Sequence, residues 1–434
     1  MLDIADSLDR AGKLLNSGDG PASETIYRQI IAAQPNQPDA VHMLGILAIR
    51  NNDIHRGVEL IRKSISLKPD ALFYSNLGYV LTALEDFTGA VEACRHAVRL
   101  RPDMSEAYAN LGNALKALEN YPHALAAYQQ AVDLKPDLAM LHMNKGVIHH
   151  AMGQYEQAIA AQRRAIALDP KLWQAWHHLE RALEAAGNID QAVATLELLV
   201  SNEPNPQLAH YDLAALGREA PPPMSPPEYI VDLFNSYAPI FEHHLTSTLG
   251  YRAPQYVLES LQECRSRIAQ EDKKIDILDL GCGSGLGGDV FRPIAKSIVG
   301  VDMAPAMVKR CATRGVYNQV VLSSASDYLQ DRSQQFDFIL STDLFIYIGD
   351  ISVVMHRGAM ALRPGGMMGI SIETHDHPNA DFVLLPTRRY AQSVSYMNRM
   401  ASENGLIELK SSIIPLRREG NGWIMGRIFI LAKP

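Results

Sequence analysis

Six prolines divide the first half of this 434-residue chain at nearly constant intervals. Pro35, Pro69, Pro102, Pro136, Pro170 and Pro204 are separated by 34, 33, 34, 34 and 34 residues. Self-similarity at that period requires stacked supersecondary units, each burying its apolar face on the next. Counting back from each proline gives units 4–37, 38–70, 71–104, 105–138, 139–172 and 173–206. In the fourth, Tyr108, Leu111, Gly112 and Leu115 form one stripe at helical spacing, and Ala124, Tyr128 and Ala131 form a second, with Glu119 and Asn120 between them. Each unit therefore reads as two short antiparallel helices. Gly112, Ala124 and Ala131 stand where the helices approach closely, and the ring of Pro136 stops the second helix.

This pattern resembles the tetratricopeptide repeat, and the resemblance spans all six units. The first unit has Ala11 at the glycine position and the sixth has Glu180, as expected of atypical terminal units. Asn76, Asn110 and Asn144 recur at 34-residue spacing. A carboxamide donates and accepts at once, which suits an extended peptide backbone. The row resembles the asparagine ladder of tetratricopeptide proteins that grip peptides, implying a peptide or protein partner in the groove. The alternative is that these side chains bridge neighbouring helices.

Apolar residues make up 47% of the chain and charged residues 20%, which excludes wholesale disorder. Lys and Arg number 40 against 48 Asp and Glu, a net charge of -8, so phosphate neutralisation of a nucleic acid is not expected. Cys94, Cys264, Cys282 and Cys311 form no CxxC pair, which points away from structural zinc and disulfides and toward a reducing, cytoplasmic home. The first ten residues, MLDIADSLDR, are acidic, and no apolar run is long enough to span a membrane.

Seven prolines between residues 204 and 227 favour an extended, semi-rigid spacer. The chain thus divides into a solenoid at 1–206, a Pro-rich linker at 207–227, a helical lid segment at 228–273 and an α/β domain at 274–434. In the last, strands alternate with helices as a parallel sheet demands. The strand KIDILDL runs into GCGSGLGG, where Gly281, Gly283 and Gly285 let the backbone turn tightly and bring a ligand against bare amides. Asp279 closes that strand and can order the loop or meet a cationic group. The next strand, SIVGVD, ends at Asp302, 21 residues after Gly281, where a carboxylate accepts both hydroxyls of a ribose. Gly283 to Gly288 also satisfies the dinucleotide signature GxGxxG, a weak match by itself.

DLGCGSG, VGVDMAPAMV, FDFILSTDL and LRPGG together resemble the seven-stranded, Rossmann-like class I methyltransferases. Nearly the whole chain looks like the bacterial S-adenosylmethionine-dependent methyltransferases that carry tetratricopeptide repeats. The resemblance implies S-adenosyl-L-methionine as cofactor. Asp279, Gly281, Cys282, Gly283 and Gly285 would hold its methionine part, Asp302 the ribose and Met303 the adenine face. Ser324 and Ala325 occupy the usual place of an acid that meets the adenine amine, and the nearest acid is Asp327. Asp343 would lie beside the sulfonium, with Tyr237, Phe241, His244 and Arg252 in a lid.

Methyl transfer is an in-line displacement that mainly needs alignment in a dry pocket, and a hydroxyl acceptor adds the need for a base. His244, Asp343 and Tyr347 are the candidates, with His243, Glu373, His375 and His377 behind them. His375-Asp376-His377 lacks further assignable carboxylates, so no metal is expected. The sequence Thr342-Asp343-Leu344-Phe345 departs from the signature of nucleobase methylation. The leading expectation is a methyltransferase whose repeats, possible sites of homo-oligomer contact as well, deliver a polypeptide. The alternatives are a small-molecule O-methyltransferase whose repeats dock a partner or a second copy, and a non-catalytic scaffold that binds the cofactor.

Overall fold

A computed structural model of the protein describes residues 3–238, 241–267, 274–420 and 422–434. Residues 1–2 of the solenoid segment and 239–240 and 268–273 of the lid segment lie outside the described residues. The chain forms two compact units, Met1–Leu199 and Val200–Pro434.

The first unit is a tetratricopeptide solenoid of helix pairs: α1 and α2 (Ile4–Asn16, Gly20–Ala33), α3 and α4 (Pro38–Arg50, Ile54–Leu67), α5 and α6 (Ala71–Ala83, Phe87–Leu100), α7 and α8 (Ser105–Ala117, Tyr121–Leu134), α9 and α10 (Ala139–Ala151, Tyr155–Leu168), and α11 and α12 (Trp173–Ala185, Ile189–Asn202). A Cβ at Gly112 would lie 2.9 Å from the ring of Tyr128, itself fully buried, so the close approach of α7 and α8 excludes any larger residue. In the terminal units Ala11 and Glu180 stand at that position, and both are fully buried. The turn inside each pair passes through one residue of positive φ, at Gly18, Asn52, Glu85, Glu119, Gly153 and Gly187. These positions repeat the proline spacing.

The second unit opens with α13 (Gln207–Ala215), α14 (Pro227–Tyr237), α15 (Phe241–His243), which runs into a π turn at His244–Thr248, and α16 (Ala253–Arg267). Then follow β1 (Ile275–Leu280), α17 (Leu286–Phe291), β2 (Ala295–Asp302), α18 (Pro305–Thr313), β3 (Gln319–Leu322), α19 (Ala325–Leu329), β4 (Phe336–Ser341), α20 (Ser352–Ala361), β5 (Leu362–Glu373), β6 (Phe382–Leu384), β7 (Tyr390–Gln392), α21 (Val394–Glu403), β8 (Ile407–Glu419) and β9 (Gly422–Ala432). Seven strands form one sheet in the order β3-β2-β1-β4-β5-β9-β8. β9 runs antiparallel to β5 and β8, and the other pairs are parallel. This is the sheet typical of class I methyltransferases.

Strand alternation sends neighbouring residues to opposite faces. Ile339 accordingly joins a core with Met355, Met368 and Met397, whereas Phe338 joins another with Val257, Leu261 and Phe291. The order reverses between β2-β1 and β4, and a parallel sheet places its ligand crevice at such a switch, beyond the carboxyl ends of the strands.

The segment expected to be an extended linker, 207–227, has more structure than its prolines suggested. It begins with α13, and its proline stretch is hydrogen-bonded within the second unit. Pro223 O accepts from Gly349 N (2.9 Å) and Asp350 N (2.8 Å), Ser225 N donates to Tyr347 O (2.9 Å), and Met224 bridges Ile348.

Candidate functional site

β1 ends in a loop whose glycines have left-handed backbones, at φ 72° for Gly281, 54° for Gly283 and 97° for Gly285. A side chain there would be strained. Sequence reasoning assigned bare amides to this loop, but several are already bonded. Gly281 N and Cys282 N donate to Val301 O (2.9 and 3.0 Å), and Gly285 N donates to Cys282 O (2.9 Å). Gly283 N donates to Asp302 Oδ2 (2.9 Å), and Ala304 N donates to Asp302 Oδ1 (2.9 Å). The acid that ends β2 is thus seated by the glycine loop itself. Each of its oxygens keeps a further lone pair.

The loop, the strand ends and residues of α14 to α16 border a cavity of about 1090 Å³. Asp279, Gly281, Cys282, Gly283, Asp302, Met303, Ser324, Ala325, Asp343, Tyr237, His244 and Tyr347 all border it, and so does Phe241. Gly285 does not. It caps α17, and a Cβ on it would meet Arg314 Cδ at 2.7 Å and Tyr317 Cε2 at 3.1 Å. Arg252 lies outside the lining and stacks over Tyr256 (5.6 Å to the ring centroid). His243, His375 and His377 are also outside it, and Glu373 is engaged with Arg417.

Burial dominates the electrostatics. Asp279 is 2% exposed, and desolvation, opposed by a hydrogen bond from Tyr317 and reinforced by nearby Asp302, pushes its carboxyl up to about 7. Asp302 is also raised by burial, against the backbone N–H groups that favour its charge. Burial lifts Asp343 to about 6 despite the cations Arg417 and Arg389, and lifts the Tyr347 phenol to about 12. Asp343 itself has a left-handed backbone (φ 57°), held by a bond from its N–H to Ser371 Oγ (3.0 Å). Between the end of α14 and the π turn, the Tyr237 hydroxyl is hydrogen-bonded to His244 Nδ1. Ser324 spends its hydroxyl capping α19, accepting from Asp327 N (3.1 Å) and donating to Asp327 Oδ2 (2.7 Å).

Sequence reasoning missed several contributors. Tyr317 donates to Asp279 Oδ2 (2.6 Å) and accepts from Gly288 N (2.9 Å), tying β1 to the first turn of α17. Arg314 donates to Ser284 O (2.5 Å) and pairs with Glu242 (2.6 Å), linking the loop to α15. Arg389 and Arg417 border the cavity from separate stretches of chain. None follows a motif, because each is brought in by tertiary packing across tens of residues.

The profile described as "Methyltransferase domain" matches residues 278–370, the stretch from β1 to β5 that carries this geometry. Profiles described as "Tetratricopeptide repeat" match 42–105, 110–172 and 149–216. The chain carries tetratricopeptide repeats followed by a methyltransferase domain. A "Ubiquinone biosynthesis O-methyltransferase" of Chelativorans sp. (strain BNC1) is 27% identical over 108 residues, 24% of this chain and 43% of that protein. A protein of the same description from Nitrobacter winogradskyi is 27% identical over 97 residues, 22% of this chain and 37% of that protein. The match thus spans about two-fifths of these curated relatives. Among solved structures, pilF of Pseudomonas aeruginosa covers 46% of this chain and 92% of its own at 15% identity and a TM-score of 0.43. A SAM-dependent methyltransferase of Methanosarcina mazei covers 37% and 93% at 17% identity and 0.32. No described helix is long and apolar enough to cross a membrane.

In the repeats, two of the three asparagines bond the preceding unit. Asn76 Nδ2 meets His42 Nε2 (3.1 Å), and Asn110 Nδ2 donates to Ser75 Oγ (3.0 Å) and Ser75 O (3.3 Å). These are helix-bridging bonds.

Proposed function

We propose that the protein is an S-adenosylmethionine-dependent methyltransferase acting on a small acceptor, and that its repeats dock a protein partner or a second copy. The observation that carries the cofactor is the seating of Asp302. A half-buried carboxylate, fixed from one side by Gly283 N and Ala304 N, keeps acceptor capacity for a vicinal diol at the sheet's switch point. Ser284 Oγ, buried beside it without a partner, is a further donor for such a ligand.

The residues fit a cationic nucleoside. Asp302 would take the ribose, Met303 and Ala325 the adenine, and Asp279 the charged methionine end. When bound, that cofactor supplies an electrophilic methyl group on a sulfonium. The chain's own work is to exclude water, align the acceptor and manage its proton. Asp343 has a proton affinity close to neutral, suited to receiving a proton from a hydroxyl acceptor. Tyr347 and the Tyr237–His244 pair face the same space. Ligand pockets run to roughly 300–1,000 Å³, and this cavity of about 1090 Å³ has room for a cofactor and an acceptor together.

Its lining residues fall between Met224 and Gly420, all in the second unit, which favours a small acceptor over a polypeptide. The bridging bonds of Asn76 and Asn110 favour the same choice. Calorimetry with S-adenosylhomocysteine tests the cofactor. Micromolar binding is expected, weakened about 100-fold or more in Asp302→Ala, since a charged acceptor of two hydroxyls contributes on the order of 3 kcal/mol. Absence of heat with the folded, full-length protein would reject it.

A further inference from the structure

Arg417 lies on β8 where its register against β9 shifts, and its side chain is almost sealed, at 4% exposure. Nη2 donates to Glu373 Oε2 (2.6 Å). Nε and Nη1 are buried with no hydrogen-bond partner. A guanidinium presents five donors and cannot shed its charge, so unsatisfied N–H groups in a dry site are costly unless a ligand completes them. Arg417 borders the cavity, as do Arg389 and Tyr347. Asp343, just past the end of β4, borders the same cavity, and both cations favour its charged form. Part of the cavity wall is apolar: Phe234 meets Tyr347 edge to face at 5.5 Å, and Ile230 and Leu233 border the same cavity.

We propose that Arg389 and Arg417 form the subsite for a carboxylate on the methyl acceptor, a small organic acid with an apolar body. This rests on reading the domain as a methyltransferase. Net charge does not decide it, because Glu373 and Asp343 balance the two arginines. The unfilled donors of Arg417 do, together with a neighbour of matching chemistry and an apolar wall. A carboxylate fits better than a dianionic phosphate, whose second charge would face Asp343 at close range in a desolvated site.

The test uses the full-length protein and calorimetry, with decanoate, decanamide and decyl phosphate as probes, each with and without S-adenosylhomocysteine. Decanoate is expected to bind at least about tenfold more tightly than decanamide, the effect of one charge-assisted hydrogen bond. Arg389→Gln is expected to erase that preference and leave decanamide and nucleoside binding unchanged. Arg417 is changed together with its partner, Arg417→Met with Glu373→Met, so that no carboxylate is stranded, and the same loss is expected. If that pair does not fold, Arg389→Gln decides. Equal affinity for acid and amide, a preference that survives Arg389→Gln, or tighter binding of decyl phosphate or of the peptide acetyl-Ala-Leu-Ala-Leu-amide overturns the proposal. If the nucleoside binds while the acid shows no preference, only the carboxylate subsite falls. If the nucleoside does not bind at all, the methyltransferase reading falls, and with it any claim that a bound acid is the acceptor.

Discussion

Asp279 shows how the site draws on stability. An aspartate in an unfolded chain titrates near ~3.9, whereas burial raises this one to about 7 in the fold, with Tyr317, Asp302 and Cys282 as its polar neighbours. Between roughly pH 4 and pH 7 the folded state therefore holds a proton that the unfolded state has released, so stability falls as pH rises through that window and levels off above it. A salt-bridged carboxylate behaves in the opposite sense. Asp343, raised to about 6, adds to the same slope. Asp279→Asn retains an oxygen for the Tyr317 hydroxyl but has nothing to ionise. Urea denaturation at pH 5 and pH 7.5 is expected to show the parent losing on the order of 2–3 kcal/mol more than the variant, since each tenfold change in proton affinity is worth about 1.4 kcal/mol. Equal losses would mean that Asp279 carries its charge in the fold.

Among the elements, those with a strong period were legible and those held by side-chain reach were not. Twelve solenoid helices follow from the proline ruler, and the sheet's first two strands follow from KIDILDL and SIVGVD. The second ruler, of left-handed turn residues, was hidden because Gly, Asn and Glu share the role. Proline content made 207–227 look like an extended, semi-rigid spacer, since proline lacks an N–H. Its carbonyl still accepts, and Pro222 O takes the Tyr390 hydroxyl (2.8 Å) much as Pro223 O takes two backbone donors. The helix before it, α13, is fastened by Asp212, fully buried and 2.5 Å from Arg388 Nε, and by Tyr211, whose hydroxyl donates to Arg388 O (2.6 Å). Removing one member of a buried pair leaves the other charge desolvated, at about 3–5 kcal/mol. Asp212→Ala is expected to destabilise the second unit by about 3 kcal/mol in urea denaturation, and a cost below ~1 kcal/mol would show the pair to be idle. Because Arg388 adjoins Arg389, the same variant is expected to weaken whatever Arg389 holds.

At the scale of the whole molecule, each unit has its own cores, and every residue lining the cavity belongs to Val200–Pro434. A fragment beginning at Val200 keeps α13, the proline strap and both cores that flank the sheet. It is expected to bind S-adenosylhomocysteine within about threefold of the full chain, a difference of less than ~1 kcal/mol. Starting instead at Gly217 removes Tyr211 and Asp212, and with them the buried ion pair and the hydroxyl bond to Arg388, so this shorter fragment is expected to melt several degrees lower. Turnover provides the second half of the comparison. If the repeats only dock a partner, the Val200 fragment methylates a small acceptor with unchanged apparent affinity. If they deliver a polypeptide, nucleoside binding persists while the apparent KM for that acceptor rises. A well-folded Val200 fragment that no longer binds the nucleoside would refute the assignment of the binding surface to the second unit.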